Sequence, residues 1–363
     1  MISVRPTAVQ TGIWGIGTAT PPSIHQSALT ELAEDRCCDE GNQRAWLRRV
    51  FSRCGVGRRN SVLQTSDISI ADFYPKREPT TAERMRRYAI EAPGLATRAA
   101  DIAMQNASVI PSEITHLISV SCTGFSAPGL DIELIDRLNL NPNIQRMQIG
   151  FMGCHAALNA LSAAQAIVRG EPTATVLVCC VELCSLHFNY GFEPSQLIAS
   201  ALFSDGAGAA IVREGAPSGH QAGWRLHHAA SLLLPDTRDE MTWRIGDHGF
   251  EMTLSARVPI LIESHLRGWC AEWLSEHGVS LDDISLWAIH PGGPKILDAS
   301  ERALNLPSDA LRWSRNVLHD HGNLSSATLL HILAQMAADD AHGKCVALGF
   351  GPGLILEGFL LER

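Results

Sequence analysis

Sliding the 363-residue chain along itself brings three landmarks into one register. Glu113-Ile114-Thr115-His116-Leu117 aligns with Asp283-Ile284-Ser285-Leu286-Trp287 at a separation of 170 residues, and Val176-Leu177-Val178 aligns with Val346-Ala347-Leu348 at the same separation. Gly153-Cys154 aligns with Gly322-Asn323 at 169. A spacing this long is that of a duplicated half-domain, not of a short solenoid unit. Two such halves pack about a pseudo-twofold axis, so equivalent strand-to-helix turns face each other. Residues at three of these turns, Cys154, His290 and Asn323, are expected to converge. The division is expected between residues 1–219 and 220–363, inside the loop Gly215-Ala216-Pro217-Ser218-Gly219-His220. The first half carries an extra segment, 48–93, with no counterpart in the second.

Period-2 and β-branched patterns predict strands at 115–121, around 148, and at 175–181, 208–212, 285–289, 345–348 and 354–359. Helical periodicity covers 85–106, 155–168, 257–277 and 325–338. The alternation reads as βαβ units around a mostly parallel sheet, an α/β chain. Hydrophobic residues at 45% against 18% charged supply a core for it and exclude a disordered chain.

The formal net charge of −9, without a block of like charge, excludes nucleic acid and anionic membrane surfaces as general partners. No apolar run approaches the roughly 18 to 20 residues of a membrane span, which argues against membrane insertion. Arg5 ahead of the weakly apolar stretch 11–19 does not make an export signal. Ten cysteines at irregular spacings, two pairs of them adjacent, do not form a disulfide framework and point to the reducing cytoplasm. Without CxxC or HExxH, a metal has no support, and without GxxxxGK[ST] neither does a nucleotide.

Chemistry concentrates at the glycine turns. Cys154 follows a strand and opens an Ala-rich helix, where the macrodipole and free N–H groups are expected to lower its pKa and favour the thiolate. Cys179, Cys180 and Cys345 fall inside strands and read as core. His290 ends a strand ahead of Pro291-Gly292-Gly293-Pro294, where α/β proteins hold ligands, whereas helical direction turns His155 away from Cys154. Asn323 is either an N-cap or, beside His290, the second donor of an oxyanion hole. Gly349-Phe350-Gly351-Pro352-Gly353 lets backbone approach a ligand, with Gly351 and Pro352 at its centre. Arg53, Arg58 and Arg59 form a cation cluster able to receive the phosphates of an acyl carrier. Arg84, Arg86 and Arg87 form a second.

With Gly150-Phe151-Met152-Gly153-Cys154, Trp287-Ala288-Ile289-His290-Pro291-Gly292-Gly293-Pro294, Gly322-Asn323-Leu324-Ser325-Ser326-Ala327 and Gly349-Phe350-Gly351-Pro352-Gly353 in this order, the chain resembles the type III polyketide synthases, the chalcone-synthase-like family of the thiolase superfamily. The resemblance implies a thiolase-like five-layer αβαβα fold of two duplicated halves and a catalytic triad at Cys154, His290 and Asn323. It implies acyl-CoA and malonyl-CoA as substrates, no cofactor, and a homodimer. It makes Phe203 a gate between carrier tunnel and cavity, and assigns Cys122, Glu182 and Ser325 to the cavity. Met252 aligns with a second gating position, with Phe250 near enough to leave the choice open. Ala127 replaces a methionine that reaches the neighbouring subunit in plant members. The segment from Pro235 to Ser255 is more similar to bacterial members that take fatty acyl starters and release alkylpyrones or alkylresorcinols.

Three rival readings fit the sequence less well. A carrier-protein-dependent ketoacyl synthase normally reads His-Gln-Ala-Asn where this chain has His290-Pro291-Gly292-Gly293. A degradative thiolase wants a second catalytic cysteine near the C-terminal glycine loop, and Cys345 lies inside a strand instead. A non-catalytic subunit has no reason to keep Cys154, His290 and Asn323 together.

Overall fold

The computed structural model describes residues 10–64, 67–215 and 223–363. Arg5 and the expected boundary at 219/220 lie outside the described residues. In chain order the strands are β1 (Thr11–Ala19), β2 (Ser23–His25), β3 (Arg58–Asn60), β4 (His116–Ser121), β5 (Gln145–Gly150), β6 (Thr175–Leu183), β7 (Asp205–Glu214), β8 (Trp224–Leu233), β9 (Met241–Gly246), β10 (Gly249–Leu254), β11 (Leu286–Ile289), β12 (Lys344–Gly351) and β13 (Ile355–Glu362). Nine of them form one sheet in the order β11-β12-β13-β8-β1-β7-β6-β4-β5.

That order contains the repeat. In the first half β4 runs parallel to β6, β6 antiparallel to β7, and β7 antiparallel to β1. The second half repeats the pattern with β11, β12, β13 and β8. The halves meet through two residue pairs, Gly12 with Arg225 and Ile13 with Trp224. Among the described residues β5 has no counterpart in the second half. The sheet is therefore mixed where the sequence suggested mostly parallel strands. Short connections such as residues 352–354, between β12 and β13, allow only antiparallel neighbours.

The acidic landmarks of the repeat have a local cause. Glu113 and Asp283 close identical 3₁₀ turns, Pro111–Glu113 and Leu281–Asp283, by accepting the backbone N–H of Ile110 (2.9 Å) and Ser280 (2.8 Å). Each turn then feeds a buried parallel strand, β4 or β11.

Alternation along the strands builds five layers. Ile118, Val120, Val176, Val178 and Cys180 of the first half, and Ala288, Cys345 and Ala347 of the second, point into one shared core with the helices Ala156–Gly170 and Thr328–Ala338. The intervening residues Leu117, Leu177, Cys179 and Val181 pack outward on the helix Thr81–Ala107. Trp287, Ile289, Val346 and Leu348 do the same against the helices Val258–Glu276 and Pro294–Leu304. This is the αβαβα architecture of two duplicated halves. The middle helices begin at opposed glycine turns, which brings the N-terminal ends of both to the centre of the molecule.

Candidate active site

Cys154 sits one residue before the N-cap of the helix Ala156–Gly170, with Gly153 in the left-handed region at φ 89°. A Cβ on Gly153 would lie 2.3 Å from Cδ of Pro352, so only glycine lets the Gly351–Pro352 loop close over the nucleophile turn. Across the axis, Asn323 leads through the 3₁₀ turn Ser325–Ala327 into the helix Thr328–Ala338. Its Oδ1 accepts the Ser325 N–H at 2.8 Å, which fixes the amide and leaves Nδ2 free of protein partners. His290 leaves β11 with its N–H on Leu348 O (2.8 Å) and its carbonyl accepting from Gly292 (3.0 Å). Both of its ring nitrogens lack protein partners, and the residue is 1% exposed.

The three side chains line a single hollow of about 320 Å³, counting its open side, walled by Phe203, Met241, Met252, Leu254, Ile296 and Phe350. A buried polar atom without a partner costs on the order of 1–3 kcal/mol, so an unpaired amide and an unpaired imidazole on the wall of one apolar hollow mark a place kept for a polar ligand. The Cys154 thiol lies 3.7 Å from Ser325 Oγ. Burial pushes this thiol up to about 12, against the nearby Ser325 hydroxyl and Asn323 amide, which favour the thiolate. Burial likewise pulls His290 down to about 3. Burial thus disfavours the charged form of both groups and works against the thiolate expected from the helix position. Desolvation outweighs the helix end because the sulfur is enclosed.

A second compartment of about 380 Å³ holds Cys122, Cys184, Trp243, Ser325 and Pro352 beside Cys154. Cys122 Sγ accepts the Gly153 N–H at 3.1 Å and so braces the nucleophile turn. Gly351, expected at the substrate, lines neither compartment: it packs on His155, whose ring a Cβ there would strike at 2.2 Å. His155 itself turns away and bonds Asn159 at 2.8 Å. A third, outer chamber of about 780 Å³, counting its mouth, is lined by Leu29, Leu32, Phe51, Arg59, Ile70, Phe188 and Phe250. Phe203 and Met252 border all three spaces, whereas Phe250 borders the outer one alone. Met252 therefore occupies the position between compartments.

Other expected residues sit elsewhere. Glu182 lines none of these spaces. It is fully buried behind them, accepting Cys122 N–H (3.0 and 3.2 Å), Thr123 Oγ1–H (2.7 Å) and the Ser326 hydroxyl. It thus ties the two halves together, and burial raises its carboxyl to about 7. The arginine cluster divides. Arg53 and Arg58 are exposed, but Arg59 turns inward because successive residues of β3 face opposite sides. Arg84 is wholly buried, donating to Leu186 O (2.6 Å), Phe188 O (2.8 Å) and Pro79 O (3.1 Å), so it forms no surface patch with Arg86 and Arg87.

Beside the expected Met252, the hairpin β9–β10 supplies Met241, Trp243 and Leu254, which pattern reading passed over. Met252 pairs with Trp243 and Leu254 with Met241, so these side chains share one face. Trp243 Nε1 donates to Cys122 O at 2.7 Å, and His187 stacks on Phe250 at 4.2 Å. Alternation of large apolar residues around Gly246-Asp247-His248-Gly249 was the available signal. Among the described residues no group of three or more His, Cys, Asp or Glu side chains is placed to hold a metal, and no helix is long and apolar enough to cross a membrane.

Comparison with known proteins gives one answer. The N-terminal domain description of the chalcone and stilbene synthases matches residues 4–216, and the C-terminal domain description matches residues 225–363. The chain is 35% identical over 358 residues to the 1,3,6,8-tetrahydroxynaphthalene synthase of Streptomyces peucetius subsp. caesius, covering 97% of this chain and 93% of the relative. It is 33% identical over 368 residues to the alpha-pyrone synthesis polyketide synthase-like Pks18 of Mycobacterium tuberculosis, covering 98% and 92%. The crystal structure of PKS-I from the brown alga Ectocarpus siliculosus superposes with a TM-score of 0.90 at 27% identity, covering 98% of this chain and 99% of that one.

Proposed function

The chain belongs to the chalcone and stilbene synthase family and is a type III polyketide synthase, and from this premise we propose that Cys154, His290 and Asn323 perform its condensation on fatty acyl starters. The observation that carries the assignment is the meeting of a thiol, an unpaired amide and an unpaired imidazole around one apolar hollow.

The starter acyl-CoA enters first. His290 takes the Cys154 proton as sulfur attacks the thioester carbonyl, and returns it to the departing CoA thiolate, leaving an acyl-enzyme and neutral imidazole. Malonyl-CoA follows. Its carboxylate bond breaks, carbon dioxide leaves, and the electron pair becomes an enolate whose oxygen accepts from a His290 N–H and Asn323 Nδ2–H. The depressed basicity of His290 suits this step, since a neutral imidazole serves as donor without charge. The enolate carbon then attacks the acyl carbonyl and expels the Cys154 thiolate. Reloading permits further rounds before the chain cyclises.

Phe203 and Met252 gate passage between compartments, while Cys122, Ser325 and Pro352 wall the growing chain. The apolar outer chamber supports a long acyl tail, and the alpha-pyrone relative supports an alkylpyrone or alkylresorcinol product. Arg53 and Arg58, both exposed on the surface, receive the CoA phosphates. The protein works in the cytoplasm as a homodimer, its halves dividing near 219/220. Support for the dimer comes from β5, an edge strand with exposed side chains, flanked by Phe125, Phe151 and Met152.

Incubation with short and long acyl-CoA plus labelled malonyl-CoA, with mass spectrometry of the products, tests this reading. Alkyl-substituted pyrones or resorcinols carrying the starter are expected. Labelled product made from malonyl units alone, with every acyl-CoA unused, would refute the fatty starter.

A further inference from the structure

Arg59 was expected beside Arg53 and Arg58 as a phosphate ligand, yet its surroundings give it another task. In the β2–β3 ladder His25 pairs with Arg58 and Ile24 with Arg59, so the two arginines point opposite ways. Arg58 stays exposed near His25. The Arg59 stem runs inward, with its guanidinium 5.7 Å from the Phe51 ring centroid. Its Nη1 donates to Ser200 O and to Phe203 O, the latter at 3.2 Å.

Those carbonyls belong to the end of the helix Pro194–Leu202 and its C-cap. The last carbonyls of a helix lack partners within it, and the macrodipole makes that end negative, so a half-buried cation there answers both needs. Among the described residues Arg59 has no carboxylate within ion-pair distance, so its hydrogen bonds go to this helix end. On the opposite side the same segment is stitched to the proposed oxyanion donor. Asn323 N–H donates to Leu202 O (2.8 Å), Ser204 N–H donates to Asn323 O (2.9 Å), and Phe203 bridges Asn323. Gly322 completes the contact: a Cβ there would sit 3.2 Å from Arg59 Cγ and 2.9 Å from Leu202 O.

We propose that Arg59 is a positioning residue for the condensation: by tying off the end of the helix Pro194–Leu202 it fixes both the gate Phe203 and the donor Asn323, and it does not receive CoA phosphates. The inference rests on the roles given above to Phe203 and Asn323. Burial pulls the guanidinium down to about 10, which leaves it protonated at neutral pH. A lysine keeps the charge in a compact ammonium but loses the planar guanidinium that lies over the Phe51 ring and sets where Nη1 donates.

The test compares decarboxylation of malonyl-CoA with that of malonyl-N-acetylcysteamine, which lacks the phosphates, in the wild type, Arg59→Lys and Arg59→Met. Rates are expressed per Cys154 that can be acylated, counted by intact-protein mass spectrometry, so misfolded protein drops out. Displacing a catalytic group by about 1 Å costs on the order of 10²-fold. The expected result is a kcat loss of that order in Arg59→Met, equal for both thioesters, with a smaller loss in Arg59→Lys. A KM increase confined to malonyl-CoA would overturn the proposal and make Arg59 a phosphate ligand. Unchanged kcat per active site in both variants would also overturn it. Failure of the underlying reading looks different: Asn323→Asp would then decarboxylate both thioesters like the wild type.

Discussion

Replacing Asn323 separates the chemistry of the hollow from its architecture. The side chain does two jobs at opposite ends of one amide: Oδ1 accepts from Ser325 N–H at 2.8 Å, and Nδ2 stands unpaired beside Cys154 and His290. Asn323→Asp keeps the acceptor and the shape but puts an oxygen where the donor was. Losing one oxyanion donor costs roughly 10² to 10³ in rate, about 2.7–4 kcal/mol, and a carboxylate facing an enolate adds repulsion. Asn323→Ala loses the donor and also strands the buried Ser325 N–H, a stability cost of about 1–3 kcal/mol. The Asp variant should therefore melt near the wild type yet release carbon dioxide from malonyl-CoA at least about 100-fold more slowly. Loading of Cys154 from an acyl-CoA, which does not need the enolate donor, should persist in the intact-protein mass spectrum. Decarboxylation by Asn323→Asp within about threefold of the wild type would refute the reasoning, because one oxyanion donor carries far more than that.

Two further outcomes follow from the surroundings of the hollow. Glu182 titrates at about 7 in the folded protein against 4.5 as an ordinary carboxyl, so its contribution to stability is complete below about pH 4.5 and is lost as pH rises through about 7. The difference corresponds to about 3 kcal/mol. Denaturant unfolding should show Glu182→Gln gaining that much on the wild type between pH 5 and pH 8, and a pH-independent difference would contradict it. Met252 borders all three spaces, so Met252→Trp should close the passage and cut kcat/KM for long acyl starters by about tenfold or more relative to acetyl-CoA, on the scale of a bulky contact. Steady-state kinetics across starter lengths reads this directly, and an unchanged chain-length profile would remove Met252 from the gate.

The parts of this protein that could be read in advance are those where function rides on a local backbone device. Cys154 and Asn323 stand out because each follows a glycine whose turn opens a central helix, and the capping residues Glu113 and Asp283 repeat because the same 3₁₀ turn is needed twice. What stayed hidden depends on partners far along the chain. Arg59 looks like its surface neighbour Arg58 until the pairing with β2 sets which one points inward. Glu182 is one acidic residue in an apolar strand, and its partners lie 59 to 144 residues away. The burial that works against the Cys154 thiolate is hidden for a related reason: the helix end is visible in the sequence, whereas the apolar enclosure is assembled from Phe203, Met252 and Phe350, each on a different element.

Three thiols, Cys122, Cys154 and Cys184, line the same compartment, and the account requires that only one of them carry the acyl chain. Peptide mapping by mass spectrometry after incubation with a fatty acyl-CoA tests this directly. The prediction is a single thioester on Cys154, absent from Cys154→Ala. An acyl group that maps to Cys122 or Cys184, or that persists in the alanine variant, would contradict it.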